Sequence, residues 1–393
     1  MWGSTAGLDK ELKALYAAYP DLKAKYIIKP VLGGAGDTDV ANKLRLQLAA
    51  RSNIPDIVQL NYSGLPQFAT QGVLADLTGP MKRFSVNMTP AARKLSTYKG
   101  KMFAVPYEVK TKLWFFRKDM FDAAGINPAS IRSTADFIAA GKKLHAKYPN
   151  SYIWNLGTPM AGYNLGEILS GNGARFSDEQ GKFVIASDPG VRKAFQDLKA
   201  LKDSGVIANI ADWTPQWQKG LADDGLASTL IGNWFTQFLP QYAPALAGKW
   251  SVTTWPTIAG ASGGSEAAGS INVVPDAAPN KAAAIDILTK LFLTTKGNLA
   301  LYHEMGLMPL TTSALNSPET LQADPYFGSA LPKVQRAALK GYKVFNFDPA
   351  ALQEFALVQA SLEQYLSGAL TLDAALNVAQ QAAESQIGNP YQK

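Results

Sequence analysis

The sequence predicts an α/β protein of two domains, and three observations carry that prediction. Its 393 residues exceed what one hydrophobic core organises, at roughly 100–200 residues per domain. Apolar residues recur at helical spacing in some stretches and as short β-branched runs in others, and the two alternate along the chain. Hydrophobic residues make up 47% and aromatic residues 10% of the chain, which excludes disordered and low-complexity classes.

Leu8, Leu12, Leu15, Tyr16 and Tyr19 share a helical face, and Pro20 ends it because proline cannot continue the turn. Tyr26 to Val31 has strand composition. Val40, Leu44 and Leu48 mark a second helix, and Ile54 to Leu60 has the length and β-branched content of a buried parallel strand. Leu113 to Phe116 and Tyr152 to Trp154 repeat the strand signal, with a helix from Phe137 to Leu144 between them. Asp188-Pro189 joins an N-cap to a proline at the first helical position and opens a helix through Phe195, Leu198 and Leu201. After Pro349, Leu352, Phe355, Leu362 and Leu366, then Leu372, Leu376, Ala379 and Ile387, mark two closing helices. This alternation favours parallel sheets covered by helices, with ligands at the carboxyl ends of the strands. Gly260 to Ser270 reads as a loose linker.

Several function classes are excluded. Lys+Arg 38 against Asp+Glu 31 leaves a formal charge of +7, but the basic residues are dispersed, with Lys23, Lys25 and Lys29 the nearest to a cluster. No nucleic-acid partner is expected. The absence of cysteine removes disulfides, zinc ribbons, thiol nucleophiles and iron–sulfur clusters. No run approaches the ~18 apolar residues of a membrane span. Met1-Trp2-Gly3 carries no charged region ahead of an apolar one, the pattern of a cytosolic protein or a mature form. Gly260-Ala261-Ser262-Gly263-Gly264 fits the G-x-S-x-G elbow, with Asp276 or Asp286 and then His303 in triad order, but a glycine-interrupted loop follows where the elbow needs a helix. No catalytic residue is expected. Neither His145 nor His303 has a metal-ligand partner at i+4, so no metal is expected. Gly33-Gly34-Ala35-Gly36 lacks both the Gly-Lys-Ser/Thr of a phosphate loop and dinucleotide spacing; it reads as a turn, and no cofactor is expected.

Six motifs stand in a telling order: Pro55-Asp56-Ile57-Val58; Gly72-Val73-Leu74-Ala75-Asp76-Leu77; Tyr98 to Tyr107, with Gly100-Lys101-Met102-Phe103-Ala104-Val105-Pro106; Leu113 to Gly125, with Arg117-Lys118-Asp119; Gly225 to Trp234; and Gly306-Leu307-Met308-Pro309. Together they resemble the extracellular solute-binding proteins of bacterial ABC importers, family 1, the group similar to maltose-binding protein. The resemblance spans nearly the whole chain. Two departures stand out: nothing precedes Met1 where the family has a first strand, and Arg117 occupies a position where asparagine is usual.

The resemblance implies a two-lobe periplasmic-binding-protein type II architecture with a ligand cleft between the lobes. It puts residues 1–107 and 258–309 in an N-terminal lobe, 112–254 and 313–393 in a C-terminal lobe, and hinges near 107–112, 252–258 and 308–313. It further implies a monomeric, non-enzymatic protein that closes on a small-molecule ligand and delivers it to the membrane permease of an ABC importer. The implied location is the periplasm, or the cell surface as a lipoprotein whose N-terminal anchor has been removed.

A sugar presents apolar C–H faces and a hydroxyl perimeter, so its site needs aromatic planes beside amides and carboxylates. Trp154, Tyr62 and Trp234 stand at or just beyond strand ends, and Asn61, Asn155, Asn233, Asn272 and Glu108 supply polar partners. The resemblance favours Trp234 most, then Asn61 and Tyr62, whereas Trp114 beside Phe115 and Phe116 reads as core. The alternative is a polyamine, amino-acid derivative or phosphate ester. A cation would need Asp37, Asp39 or Glu108 in the cleft, and an anion Lys110 or Arg117, because an unpaired buried charge is costly. A polysaccharide-active enzyme is a third reading, distinguished by turnover.

Overall fold

The computed structural model describes residues 1–3, 7–33, 37–157, 162–255, 269–329, 331–340 and 342–392. The chain divides into two units: Met1–Lys110 with Ala268–Leu321 and Phe347–Pro349, and Thr111–Ala267 with Gln322–Asn346 and Ala350–Lys393. It passes from one to the other after residues 110, 267, 321, 346 and 349, where the resemblance led to hinge segments near 107–112, 252–258 and 308–313. Pro256 and the rest of the second expected hinge from there on, the G-x-S-x-G serine Ser262 and the Gly34 to Gly36 turn lie outside the described residues.

The first unit is built on a five-stranded sheet in the order Val31–Leu32, Trp2–Gly3, Val58–Asn61, Ser270–Val273, Ala104–Pro106. Side chains alternate between faces along each strand, and residues opposite one another share a face. One face carries Val58, Leu60, Ala104, Ile271 and Val273, which close a core with Val40, Ala41 and Leu44 of the Asp37–Ala50 helix and with Leu65 and Phe68. The other face carries Gln59 opposite Asn272 and Asn61 opposite Ser270, with the apolar Val105 on the far side of Asn272. Glu11, on the Leu8–Ala18 helix, is only 1% exposed, and burial pushes its carboxyl pKa up to about 8, tempered by the Tyr107 hydroxyl.

The second unit holds a three-stranded sheet with Lys112–Arg117 between Ser228–Gly232 and Trp250–Thr254, and a short pair of Trp154–Asn155 with Ile207–Ala208. All six residues of the central strand are buried, the apolar Leu113 to Phe116 together with the charged Lys112 and Arg117 at its ends. The expected helices form at Thr134–Lys147, Pro189–Asp203, Ala351–Ser367 and Leu372–Gln386. Asp188 caps the second of these, its Oδ1 accepting from Val191 N at 2.9 Å.

Two strand expectations need correction. Tyr26 to Val31 yields only the two-residue strand Val31–Leu32, preceded by Pro30, which has no N–H to give a ladder. The sheets are also less parallel than the alternation suggested. Lys112–Arg117 is antiparallel to both neighbours, and Val58–Asn61 is parallel to Trp2–Gly3 but antiparallel to Ser270–Val273. Burial on both faces dictates composition, and strand direction follows from how the chain returns.

Candidate ligand site at the strand ends

In the second unit several chain segments converge at one end of the sheet. Gly232 opposes Lys112, and Thr254 opposes Leu113, so the start of the central strand lies beside the ends of its neighbours, which lead into Asn233-Trp234 and Trp255. Lys112 ties these to the Trp154–Asn155 strand. Its ammonium lies 4.5 Å from the centre of the Trp255 ring and 5.7 Å from that of Trp154, donates to Asn164 Oδ1 at 2.8 Å and ion-pairs with Glu167. Burial pulls the Lys112 pKa well below its ordinary value, opposed by the charge of Asp212.

The network continues outward. Asn164 Nδ2 donates to one carboxylate oxygen of Asp212 at 3.1 Å, and Asn155 Nδ2 donates to the other at 2.6 Å. Next in the chain, Trp213 has φ +67° and is 41% exposed. A bulky residue in the left-handed region is an outlier that only surrounding structure can enforce. Here Asp212 is pinned on one side, and Thr214 on the other caps the Pro215–Ala222 helix, its hydroxyl oxygen accepting from Trp217 N at 3.2 Å. Trp213 stacks on Trp234 with ring centres 5.5 Å apart and planes 19° from parallel, and meets Phe238 edge-on. Trp234 lies close over Gly232, where a Cβ would come within 2.1 Å of the indole Nε1.

The first unit gathers its groups in the same manner. Asn61 ends its strand opposite Ser270, and Tyr107 to Lys110 continue beyond Ala104–Pro106. Lys110 Nζ donates to Ser270 Oγ at 3.2 Å and stands 3.6 Å from Glu108 Oε1. Burial raises the Glu108 pKa, and Lys110 opposes the rise. Asn61 Oδ1 accepts from both the backbone N and the hydroxyl of Ser63 at 3.2 Å, and Tyr62 meets Phe347 edge-on.

The expected site residues therefore fall into three groups. Asn61, Tyr62 and Trp234 are half-buried at strand ends. Trp154, Asn155, Asn233 and Glu108 stand at strand ends but are buried. Both Asn155 amide hydrogens are spent, on Asp212 and the Ile210 carbonyl, and its Oδ1 accepts from Trp217 Nε1 at 3.2 Å. Asn233 Oδ1 accepts from Thr111 N at 3.2 Å. Asn272 lies within its strand rather than at the end, buried, with neither amide atom meeting a hydrogen-bond partner. Sequence reasoning passed over Lys112, Glu167, Asp212, Trp213 and Trp255. Asp212-Trp213-Thr214-Pro215 announces only a helix start, because a positive φ leaves no trace in composition.

Lys110, Glu108 and Arg117, three of the charges named for an ionic ligand, are matched within their own units. Lys110 faces Glu108, and Arg117, buried, bonds Asp119 and Asp224 at 2.8 and 2.9 Å. The histidine and candidate acids of the apparent triad are engaged elsewhere: His303 pairs with Glu319 at 2.6 Å, Asp276 with Lys281 at 2.9 Å, and Asp286 with Lys290 at 3.0 Å. Among the described residues no group of three or more His, Cys, Asp or Glu could hold a metal ion, and no helix is long and apolar enough to cross a membrane.

The chain is similar to characterised proteins along most of its length. An arabinooligosaccharide-binding protein of Bacillus subtilis is 26% identical over 316 residues, covering 78% of this chain and 71% of that one. The binding protein of an ABC transporter from B. animalis subsp. lactis Bl-04, solved with β-1,6-galactobiose, is 26% identical with a TM-score of 0.78, covering 98% and 96% of the two chains. The sugar-binding protein MalE of Xanthomonas citri, 18% identical with a TM-score of 0.82 over 98% and 96%, shares the fold. That fold is the two-lobe, MalE-like α/β architecture. The model of one family, bacterial extracellular solute-binding protein, matches residues 17–328. With that match across most of its length, the chain belongs to the family of bacterial extracellular solute-binding proteins.

Proposed function

We propose that this chain is the extracytoplasmic solute-binding component of an ABC importer, that its ligand is a neutral sugar or oligosaccharide, and that it hands this ligand to the membrane permease. The observation that carries the reading is the indole-rich strand end of the second unit, where Trp213 and Trp234 offer flat apolar surface beside the fixed carboxylate of Asp212. Sugar C–H faces stack on such planes, and hydroxyls seek such acceptors. The pairing of Lys110, Lys112 and Arg117 inside their own units argues against an anionic ligand, and the pairing of Glu108 against a cationic one. The relatives named for arabinooligosaccharide and for β-1,6-galactobiose support the same class. We read the chain as a binding protein rather than an enzyme, acting in the periplasm or at the cell surface, as a monomer.

A thermal-shift screen tests the reading. Arabinotriose, β-1,6-galactobiose and lactose stand against polyamines and glycerol phosphoesters, and a ligand at 100 times its Kd adds about 2.7 kcal/mol of stability. A flat response to every glycan beside a shift with an amine or phosphoester would overturn it. Product analysis after incubation with the same glycans separates saturation from turnover.

A further inference from the structure

We infer that Lys112 and Trp217 are positioning residues for ligand binding: acting through the amides of Asn164 and Asn155, they fix the plane of the Asp212 carboxylate that accepts from the sugar. The inference rests on the sugar-binding reading above and deepens it.

An asparagine side chain offers an acceptor at one atom and donors at the other, and turning it over exchanges them. Behind Asn164 stands the ammonium of Lys112, a group that only donates, so the amide oxygen must face it, at 2.8 Å. The nitrogen is thereby committed to the other side, where it donates to Asp212 Oδ2 at 3.1 Å. Behind Asn155 stands the indole N–H of Trp217, again only a donor, with Asn155 Oδ1 accepting at 3.2 Å. The Asn155 nitrogen then donates to Asp212 Oδ1 at 2.6 Å and to the Ile210 carbonyl at 2.9 Å. Each Asp212 oxygen is thus held by a different amide, one from the Gly162–Gly171 helix and one from the Trp154–Asn155 strand. One donor alone would leave the carboxylate to turn about its broad terminal torsion, whereas two fix its plane.

The chain of bonds also runs from inside to outside. Lys112, Trp217, Asn155 and Asn164 are buried, and Asp212 is half-buried. The interior therefore supplies donors whose polarity cannot be reversed, and the carboxylate they orient is the member that reaches the surface. Stability alone does not call for the arrangement, because a buried ion pair such as Lys112 with Glu167 is often matched or bettered by apolar residues of the same volume. An apolar pair there would fill the space and leave the Asn164 amide free to turn its oxygen towards Asp212, acceptor against acceptor.

Titration calorimetry with arabinotriose and β-1,6-galactobiose as probes tests this on wild type, Asn164→Asp, Asn164→Leu, Trp217→Phe and the double variant Lys112→Met/Glu167→Leu. Asn164→Asp keeps the shape and still accepts from Lys112, but when ionised it has no hydrogen to give Asp212. It should lose at least about tenfold in affinity at about pH 7.5, equivalent to about 1.4 kcal/mol. Most of that loss should return at about pH 5, because a proton shared between two neighbouring carboxyls restores the bond. The titratable groups joined to Asn164 are Lys112 and Asp212 directly and Glu167 through Lys112. Asn164→Leu leaves these three in place and should lose affinity at both pH values, while wild type should change by less than about threefold between them, about 0.7 kcal/mol. The double variant should melt close to wild type yet bind at least about tenfold more weakly, and Trp217→Phe, which removes the N–H, at least about threefold more weakly. Wild-type affinity in Asn164→Asp at the higher pH, or an equal loss at both, overturns the inference. Wild-type affinity in the double variant removes Lys112 from it, and in Trp217→Phe removes Trp217. Failure of wild type to bind any glycan removes the sugar reading and this inference with it. If Asn164→Asp melts without cooperativity, the double variant carries the test with the same outcomes.

Discussion

The strand ends of the two units solve one problem with different chemistry. In the first unit they carry short polar groups, Asn61, Ser270 and the Glu108–Lys110 pair, with Tyr62 beside them. In the second they carry indoles, Trp213, Trp234 and Trp255, over a buried ionic network. Hydrogen bonds are directional and sort ligands by the placement of their hydroxyls, while stacking is tolerant of orientation and contributes area.

The units also treat buried charge differently. Glu11 in the first is pushed towards its neutral form by burial, with only the Tyr107 hydroxyl to oppose this. Lys112 in the second is met by Glu167, Asn164, Asp212 and two indole faces. Burial disfavours the charged form of both groups, and of the two Lys112 has the more partners around it.

Breaking the second arrangement should have the largest effect. Lys112→Met leaves Glu167 buried without its counter-ion, and removing one partner of a buried pair costs about 3–5 kcal/mol. The double variant Lys112→Met/Glu167→Leu should recover most of that loss in denaturant unfolding. A double variant as unstable as the single one would mean that packing of the lysine stem, not charge pairing, dominates.

Trp234→Ala comes next. It removes the ring on which Trp213 stacks, and truncation of such an anchor should weaken glycan binding by about 2 kcal/mol, close to thirtyfold. Its apo-state melting loss should be smaller than that of Trp250→Ala, whose ring is buried in the core. A large melting loss with unaltered affinity would move Trp234 out of the ligand platform.

The smallest effect, per pH unit, belongs to the first unit. Above the ordinary carboxylate value of 4.5 the unfolded chain loses the Glu11 proton, while the folded chain keeps it up to about pH 8. The unfolded state therefore binds fewer protons in that window, and stability should fall as pH rises through it, by at most about 1.4 kcal/mol per unit. Glu11→Gln should flatten that slope in melting curves taken from pH 4.5 to pH 8. An unchanged slope would place the pH dependence on other groups.

What the sequence by itself determined about this protein is whatever depends on near neighbours along the chain. The Leu8–Ala18 helix, the Asp188 cap and the two closing helices were legible because apolar spacing at 3.6 residues and capping chemistry act within a few residues. Family membership was legible from ordered motifs, and the strand-end placement of Asn61, Tyr62 and Trp234 from the strand-like runs they adjoin. Tertiary structure decided the rest. It alone set strand direction, because pairing partners such as Lys112–Arg117 and Trp250–Thr254 lie more than a hundred residues apart. It also spent the Asn155 amide on Asp212 and the Ile210 carbonyl, and enclosed Lys112 among groups from four different segments. Trp213 shows the reason most plainly: its exposure and its positive φ come from constraints on Asp212 and Thr214 that exist only once the surrounding segments have packed, so no local pattern could have announced them.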